Sequence, residues 1–311
     1  MNQQKIAFIF PGQGSQFVGM GKDLYDTFPE AKAVFEEIDE TLHQNLSQLM
    51  FSGDLKELTQ TQNAQPAIMA VSAALLSLLR KSDFQLKEHA ICVAGHSLGE
   101  YTALYAAEAL PLIQTAQILK ARGQAMAEAG KATPGSMLAV LGLPPQTVDE
   151  IAKEADCYVA NDNGAGQLVL SGTISSLTTA KILAENKGAK RAIPLAVAGA
   201  FHSPLMKEAQ EKIIPLLQNI SFQKPVVPVV MNVTADPTED TSSFASLLGQ
   251  QVVSPVRWRE SVLKMKEMGV ERFVECGPGT VLSGLVRRIV PEIAIEHISD
   301  INTLDAFLKS F

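Results

Sequence analysis

The stretch that decides the fold is Ile91-Cys92-Val93-Ala94-Gly95-His96-Ser97-Leu98-Gly99-Glu100, an apolar run that ends at a serine flanked by glycines. A Gly-x-Ser-x-Gly sequence after a strand is typical of a nucleophile elbow, in which the chain turns sharply into a helix and pushes the serine hydroxyl outward. Gly95 and Gly99 supply the space that such a turn needs. The helix after it, expected over 101–110, would aim free N–H groups and the positive end of its dipole at the serine. We therefore expect Ser97 to be a nucleophile beside a site that stabilises an oxyanion.

A five-residue pattern also arises by chance, so the alternative is an ordinary Gly/Ser turn without a chemical role. The context favours the elbow, because an apolar strand precedes Ser97 and a helical sequence follows it. Ser97 is thus the first candidate catalytic residue.

Composition and length exclude several classes of protein. The chain has 311 residues, 46% hydrophobic and 19% charged, so it can bury a large core as one domain with an insertion or as two domains. The first apolar run is too short for a signal peptide and no run approaches a membrane span, which favours a cytoplasmic protein. A net charge of -7 argues against nucleic acid as the main partner, and no metal-binding motif is present. Cys92, Cys157 and Cys276 lie in apolar strand-like runs without a C-x-x-C motif, so we interpret them as reduced core thiols.

Strands and helices alternate along most of the chain, which predicts a mainly parallel sheet covered by helices on both faces. A polar stretch is expected up to Thr61, followed by a buried helix over 67–79 with Pro66 at its first position. Further elements expected later in the chain include a strand over 226–233 and a helix over 255–268.

The segment 133–197 differs from the rest of the chain in its predicted order of elements, which is strand, helix, strand, strand, helix, strand. This is the order of a ferredoxin-like unit. We predict an α/β fold in which an α/β-hydrolase-like catalytic domain, formed by residues 1–132 and 198–311, carries this ferredoxin-like subdomain as an insertion. A cleft is expected between the two parts.

A glycine-rich loop, Pro11-Gly12-Gln13-Gly14-Ser15-Gln16, follows the first apolar strand. It is not a phosphate-binding P-loop, because the Lys-Ser/Thr pair that grips phosphate is missing after Gly19. A loop at the carboxyl end of a strand is where a second oxyanion donor for Ser97 would lie, and Gln13 is the candidate. The alternative is a plain connection between a strand and a helix.

His202 is the candidate general base. It stands in Ala198-Gly199-Ala200-Phe201-His202-Ser203-Pro204, at the end of an apolar strand and near a glycine, whereas His96 adjoins Ser97 and should point elsewhere. A lone histidine is more often a structural residue, and only the elbow makes the catalytic interpretation the stronger one.

Arg122 is notable for its surroundings, since it lies among Ala121, Gly123, Ala125 and Met126 in a predicted helix. Either its charged end reaches the surface, the common outcome, or it is held in a pocket to grip an anion with two parallel hydrogen bonds.

The chain resembles the malonyl-CoA:acyl-carrier-protein transacylase family over essentially its whole length. The motifs that carry the resemblance are Phe10-Pro11-Gly12-Gln13-Gly14-Ser15-Gln16, Gly95-His96-Ser97-Leu98-Gly99-Glu100, Arg122-Gly123, Gly199-Ala200-Phe201-His202-Ser203 and Glu275-Cys276-Gly277-Pro278-Gly279. Five motifs in the same order make the resemblance highly specific.

The resemblance implies a role for each of several residues. Ser97 would be acylated, His202 would be the base, and the backbone N–H groups of Gln13 and Leu98 would form the oxyanion hole. Arg122 would bind the malonyl carboxylate, and a phenylalanine at the position of Phe201 goes with malonyl over methylmalonyl. The family orients its histidine with a backbone carbonyl, which maps onto Gln251, although it often has asparagine where this chain has Ser254.

The resemblance also implies malonyl-CoA and acyl carrier protein as partners, ping-pong transfer through an acyl-serine, and no cofactor. Carrier proteins are typically acidic, as this chain is, so docking would need a local basic patch. Two basic clusters are candidates for it: Lys187, Lys190 and Arg191, and Arg287 and Arg288. The alternative for the second cluster is that it merely complements the end of its helix. A monomer is expected.

Two other functions remain open at this point. A serine esterase or thioesterase shares the elbow but would need a carboxylate partner for the histidine and an apolar acyl pocket. A non-catalytic module that binds the carrier protein would keep Ser97 and His202 without using them. The sequence also does not separate fatty-acid synthesis from a discrete polyketide-synthase acyltransferase.

Overall fold

The strands of this chain form two separate sheets. The computed structural model describes residues 5–82 and 84–310. In chain order the strands are β1 Ile6–Phe10, β2 Ala90–Gly95, β3 Gly135–Leu141, β4 Tyr158–Asp162, β5 Gln167–Thr173, β6 Arg191–Leu195, β7 Val229–Val230, β8 Pro237–Thr238, β9 Arg272–Cys276 and β10 Ala294–Ile298.

Helices occupy most of the remaining chain. They are α1 Lys22–Thr27, α2 Pro29–Leu42, α3 Leu46–Ser52, α4 Leu55–Leu58, α5 Thr61–Lys81, α6 Leu86–His89, α7 Leu98–Ala106, α8 Leu112–Ala132, α9 Pro145–Glu154, α10 Ile174–Asn186, α11 Lys207–Gln218, α12 Thr241–Gln251, α13 Trp258–Glu267, α14 Val281–Ile289 and α15 Ile301–Leu308, with a 3-10 turn at Pro204–Met206 before α11. None of the described helices is long and apolar enough to span a membrane.

The larger sheet has the strand order β10-β9-β1-β2-β7-β8, and every pair is parallel except β7 with β8. All five residues of β1 are buried, because helices cover both faces of the sheet. Phe8 and Phe10 pack into the core on one face, and Ala7 and Ile9 into the core on the other. This explains why β1 is apolar throughout instead of alternating with polar residues.

The smaller sheet has the order β4-β5-β3-β6 and is antiparallel throughout. Helices α9 and α10 pack on it around a separate core that contains Leu138, Val148 and Leu177. The chain order and pairing are those of the ferredoxin-like unit, so the predicted fold class is confirmed. The exact boundaries at 133 and 197 stay a prediction, and the strands of this sheet lie within 135–195.

Three local predictions were wrong. Helix α5 begins at Thr61, so Pro66 lies inside it and only the hydrogen bond to the carbonyl of residue 62 is lost. The polar stretch before Thr61 contains the short helices α3 and α4. The strand expected over 226–233 is reduced to the two residues of β7. The carbonyl of Pro228, directly before β7, accepts a hydrogen bond from the Val93 N–H (3.0 Å).

The helix expected over 255–268 begins at Trp258 because the residues before it pair with the smaller sheet. The Val256 N–H donates to the Ala160 carbonyl (2.8 Å), and the Asp162 N–H donates to the Val256 carbonyl (3.0 Å). Val256 therefore lies beside β4 in a single parallel β-bridge, and this bridge connects the two parts of the molecule.

Candidate active site

The elbow forms at the carboxyl end of β2, where α7 begins at Leu98. A Cβ added at Gly95 would lie 1.9 Å from the Gly99 carbonyl carbon, and one at Gly99 would lie 2.2 Å from the Phe10 carbonyl oxygen. Both positions therefore need glycine. Ser97 has φ 55° and ψ -108°, a conformation that non-glycine residues rarely adopt and that is found at functional sites.

Ser97, His202 and the backbone carbonyl of Gln251 form a chain of two hydrogen bonds. The Ser97 Oγ is 2.8 Å from His202 Nε2, and His202 Nδ1 is 2.8 Å from the Gln251 carbonyl oxygen. A carbonyl can only accept, so Nδ1 carries the proton and Nε2 presents its lone pair to the Ser97 hydroxyl. This is the tautomer that a general base needs.

His202 is 4% exposed, and its surroundings disfavour the charged imidazolium. Burial, and secondarily the Arg122 cation, lowers the pKa of His202 to about 3, while the hydrogen bond to Gln251 acts in the opposite direction. The imidazole is therefore neutral at neutral pH and free to accept the serine proton.

Arg122 on α8 is 1% exposed and points at the nucleophile. Its NH2 group donates to Ser97 Oγ (3.0 Å) and to Gln251 Oε1 (2.8 Å), and its NH1 group donates to Gln65 Oε1 (2.7 Å). The approach of α8 to α5 depends on Gly123, where a Cβ would lie 2.5 Å from the Thr61 carbonyl oxygen. Of the two interpretations of Arg122, the structure supports the guanidinium held in a pocket.

The loop after β1 packs against the elbow. The His96 N–H donates to the Phe10 carbonyl (3.1 Å), and a Cβ at Gly12 would lie 2.8 Å from the His96 carbonyl oxygen. Within the described residues, neither the Gln13 nor the Leu98 backbone N–H donates to a protein acceptor. Two free donors on the two segments that meet at Ser97 are what an oxyanion hole requires.

Each of the three segments that carry catalytic candidates is hydrogen-bonded to the inserted subdomain. His96 Nε2 is 2.9 Å from Asn163 Oδ1, so the inserted subdomain holds the ring of this histidine. The Ser171 hydroxyl donates to the Phe201 carbonyl, directly before His202. Val256, five residues after Gln251, pairs with β4 as described above. The inserted subdomain therefore holds the site together from one side.

All five predicted basic residues are exposed. Lys187 forms an ion pair with Glu150 (3.2 Å) on α9. Arg191 on β6 is the pairing partner of Leu141 on β3, and Leu141 is paired on its other side with Gln167 on β5. Arg288 donates to the Gln167 side chain (3.0 Å). The two clusters thus approach each other at one edge of the smaller sheet.

Three residues of the site were missed by the sequence analysis: Gln65, Glu100 and Asn232. Gln65 receives Arg122, and the Asn232 side chain holds the backbone on both sides of His96. Glu100 had a visible signal, since it is a carboxylate in a helix whose nine residues are all buried. No group of three or more metal-ligating side chains occurs among residues 5–82 and 84–310.

Comparison with known proteins shows the family of the chain. Residues 7–303 match the sequence model of the acyl transferase domain family. A malonyl CoA-acyl carrier protein transacylase of Bacillus subtilis is 44% identical, over 98% of this chain and 97% of that protein.

Two solved structures are close in shape. An acyl-carrier-protein-S-malonyltransferase of Bartonella henselae superposes with a TM-score of 0.96 at 42% identity and 99% coverage of both chains. PlMCAT, a malonyl-transacylase solved in complex with a type II PKS acyl-carrier protein, has a TM-score of 0.95 at 35% identity, over 99% of this chain and 100% of that one. The chain therefore belongs to the acyl transferase domain family and, within it, to the malonyl CoA-acyl carrier protein transacylases.

Proposed function

We propose that this enzyme transfers the malonyl group from malonyl-CoA to the phosphopantetheine thiol of acyl carrier protein through a malonyl-Ser97 intermediate, supplying fatty-acid chain extension. The observation that carries the proposal is the Arg122 guanidinium, buried and 3.0 Å from the Ser97 hydroxyl oxygen. A buried cation beside a nucleophile suits an acyl group that ends in a carboxylate.

In the first half-reaction His202 Nε2 takes the Ser97 proton as Oγ attacks the thioester carbonyl. The Gln13 and Leu98 N–H groups stabilise the oxyanion. The C–S bond then breaks, and the His202 proton passes to the CoA thiolate. The second half-reaction runs the same steps in reverse, with the carrier-protein thiol attacking the malonyl ester. The exchange of thioester, ester and thioester is nearly balanced, so we propose that it needs no cofactor or metal.

The pantetheine arm needs a path to Ser97. A groove of about 490 Å³ opens onto His202 between α9 and the segment 253–255, with Lys153, Tyr158 and Ser254 on its walls. We propose that this groove admits the arm of either thiol substrate, and that the buried side chain of Phe201 beside His202 limits the acyl pocket to malonyl.

Labelled malonyl-CoA separates this function from the alternatives. The proposal expects a stable malonyl-enzyme that is absent in Ser97→Ala and is discharged by carrier-protein thiol. Rapid release of free malonate would indicate a hydrolase. No covalent label on the wild-type protein would indicate a binding module. The choice between carrier proteins of fatty-acid and polyketide synthesis is made by comparing both as acceptors.

Docking of the acidic carrier protein is assigned to the basic edge, which we define as Lys190, Arg191, Arg287 and Arg288. Lys187 contributes less, because Glu150 already partners it. The end of α14 touches the β4–β5 turn, where a Cβ at Gly164 would lie 2.5 Å from the Ile289 side chain. This contact makes the basic edge a surface shared by the two parts of the molecule.

The docking proposal is tested by charge reversal at Arg287 or Lys190. Each variant should raise the KM for the carrier protein, flatten its salt dependence, and leave malonyl-enzyme formation from malonyl-CoA unchanged. Lys224→Glu is the control, because it makes the same charge change at an exposed lysine outside this edge. Unchanged carrier-protein kinetics in both reversals would place the docking surface elsewhere.

We propose further that the enzyme acts as a monomer in the cytoplasm. The three cysteines are buried and unpaired, as expected in a reducing compartment. Light scattering would test the monomer, and fractionation of the source cells would test the compartment.

A further inference from the structure

Glu100 is a buried carboxylate that the proposed reaction does not use. It follows the nucleophile by three residues on α7 and is 0% exposed. Burial of a carboxylate costs free energy unless N–H donors meet its oxygens. Its partners therefore indicate what it does.

Two residues distant in the sequence donate to Glu100. The backbone N–H of Asn232 donates to Oε1, and the side-chain amide of Gln251 donates to Oε2. Burial raises the pKa of Glu100, and the Asn232 and Gln251 donors and the Arg122 cation act in the opposite direction. Since both oxygens face N–H donors, the ionised form fits the site, because the O–H of a protonated carboxyl would meet an N–H.

Gln251 in turn contacts the proposed base, the backbone of the proposed nucleophile and the buried cation. Its carbonyl oxygen accepts from His202 Nδ1 (2.8 Å), its Nε2 donates to the Ser97 carbonyl (2.9 Å), and its Oε1 accepts from Arg122 (2.8 Å). Gln251 thus connects Glu100 to the base, to the backbone of the nucleophile and to the cation.

We propose that Glu100 is a positioning residue that fixes the orientation of the Gln251 amide and, through it, the aim of Arg122 at the acyl carboxylate. A carboxylate only accepts, so the amide nitrogen of Gln251 must face it and the amide oxygen must face Arg122. A neutral amide at position 100 has one NH2 group, which would meet either the Asn232 N–H or the Gln251 amide nitrogen. Against Gln251 it would set a donor against a donor and displace the Gln251 amide, which only the Ser97 carbonyl and Arg122 would then hold. If the displaced amide turns over, the Gln251 amide oxygen no longer accepts a hydrogen bond from Arg122.

This inference rests on the proposed function, and the test is Glu100→Gln, which keeps the volume and removes the charge. Single-turnover formation of malonyl-enzyme and acetyl-enzyme is measured for wild type and variant. We expect malonyl transfer to fall at least about tenfold, the loss that one charge-assisted hydrogen bond explains, and the malonyl-to-acetyl ratio to fall with it.

Glu275→Gln is the matched control. Glu275 is also 0% exposed and also accepts from two N–H donors, which here are both backbone groups, those of Leu282 (3.0 Å) and Ser283 (2.6 Å). It has no contact with Gln251, so this variant can lose stability but should keep the malonyl-to-acetyl ratio of wild type.

Gln251→Met provides the second variant, because it removes the amide and keeps the backbone carbonyl that orients His202. If Glu100 acts through Gln251, the double variant should be no slower than the slower single variant. Should Glu100→Gln fail to fold, Gln251→Met tests the same link by the same ratio.

Three results would overturn the inference: an unchanged malonyl-to-acetyl ratio in Glu100→Gln, an equal fall of that ratio in Glu275→Gln, or losses that multiply in the double variant. A wild-type enzyme that forms no malonyl-enzyme would instead overturn the proposed function.

Discussion

Replacing Arg122 with alanine should convert a malonyl-selective enzyme into one that discriminates poorly. In the free protein the guanidinium is 1% exposed and donates to Gln65, Gln251 and Ser97. A bound malonyl group would add a carboxylate partner to this buried cation, whereas an acetyl group would not.

The size of the effect follows from the burial. Breaking a buried ion pair costs about 3–5 kcal/mol, which corresponds to a loss of roughly 100- to 4,000-fold in kcat/KM for malonyl-CoA. Acetyl transfer should change less than about tenfold, since acetyl leaves the guanidinium unpaired in the wild-type enzyme. The malonyl-to-acetyl ratio should therefore fall by at least about tenfold, and by up to about 4,000-fold if acetyl transfer is unchanged.

The assay is acyl-enzyme formation from each CoA thioester, followed by quenching and intact-protein mass measurement. Arg122→Lys should lie between wild type and Arg122→Ala, because lysine keeps the charge without the planar fork. Lys120→Ala is the control on the same helix, since Lys120 bonds Gln44 and Asn63 and should leave the ratio unchanged. An equal loss on both donors in Arg122→Ala would show that the arginine is structural and refute the reasoning.

Three further predictions follow from the same site. Ser97→Ala and His202→Ala should each abolish most transfer, and their double variant should be no slower than the slower single, since nucleophile and base act as a unit; a much slower double variant would disprove the pairing. Because the pKa of His202 lies near 3, well below its ordinary 6.5, the base stays neutral as pH falls, and acylation rates should stay flat from pH 7 to about 5; an inflection near 6.5 in single-turnover rates would contradict this. Gly95→Ala should lower the free energy of unfolding by about 3 kcal/mol through overlap with the next turn, whereas Gly284→Ala, with nothing within 4 Å of the added Cβ, should be neutral or stabilising in the same denaturant titration.

The sequence determined the parts of the site that depend on local geometry. The elbow could be predicted because the sharp turn from strand to helix leaves no space for side chains at two positions within five residues, and Gly95 and Gly99 occupy these positions. The inserted subdomain could be predicted because six elements follow one another in a recognisable order between 135 and 195. Gln13 and His202 could be proposed because each stands in a loop after an apolar strand, although only β1, before Gln13, belongs to the parallel part of the larger sheet, and β6, before His202, lies in the antiparallel sheet.

The tertiary structure decided which distant side chains meet. His202 is 105 residues from Ser97 and Gln251 is 154, and no local pattern specifies that the Gln251 amide lies between Glu100 and Arg122. The start of α5 before Pro66 could likewise not be predicted locally, since the helix packs against α8, α2 and α7, which lie elsewhere in the sequence, and such packing offsets the hydrogen bond that proline removes. Hydrogen bonding inside a buried network depends on three-dimensional distance and on charge, and both arise only when the sheet brings the ends of its strands together.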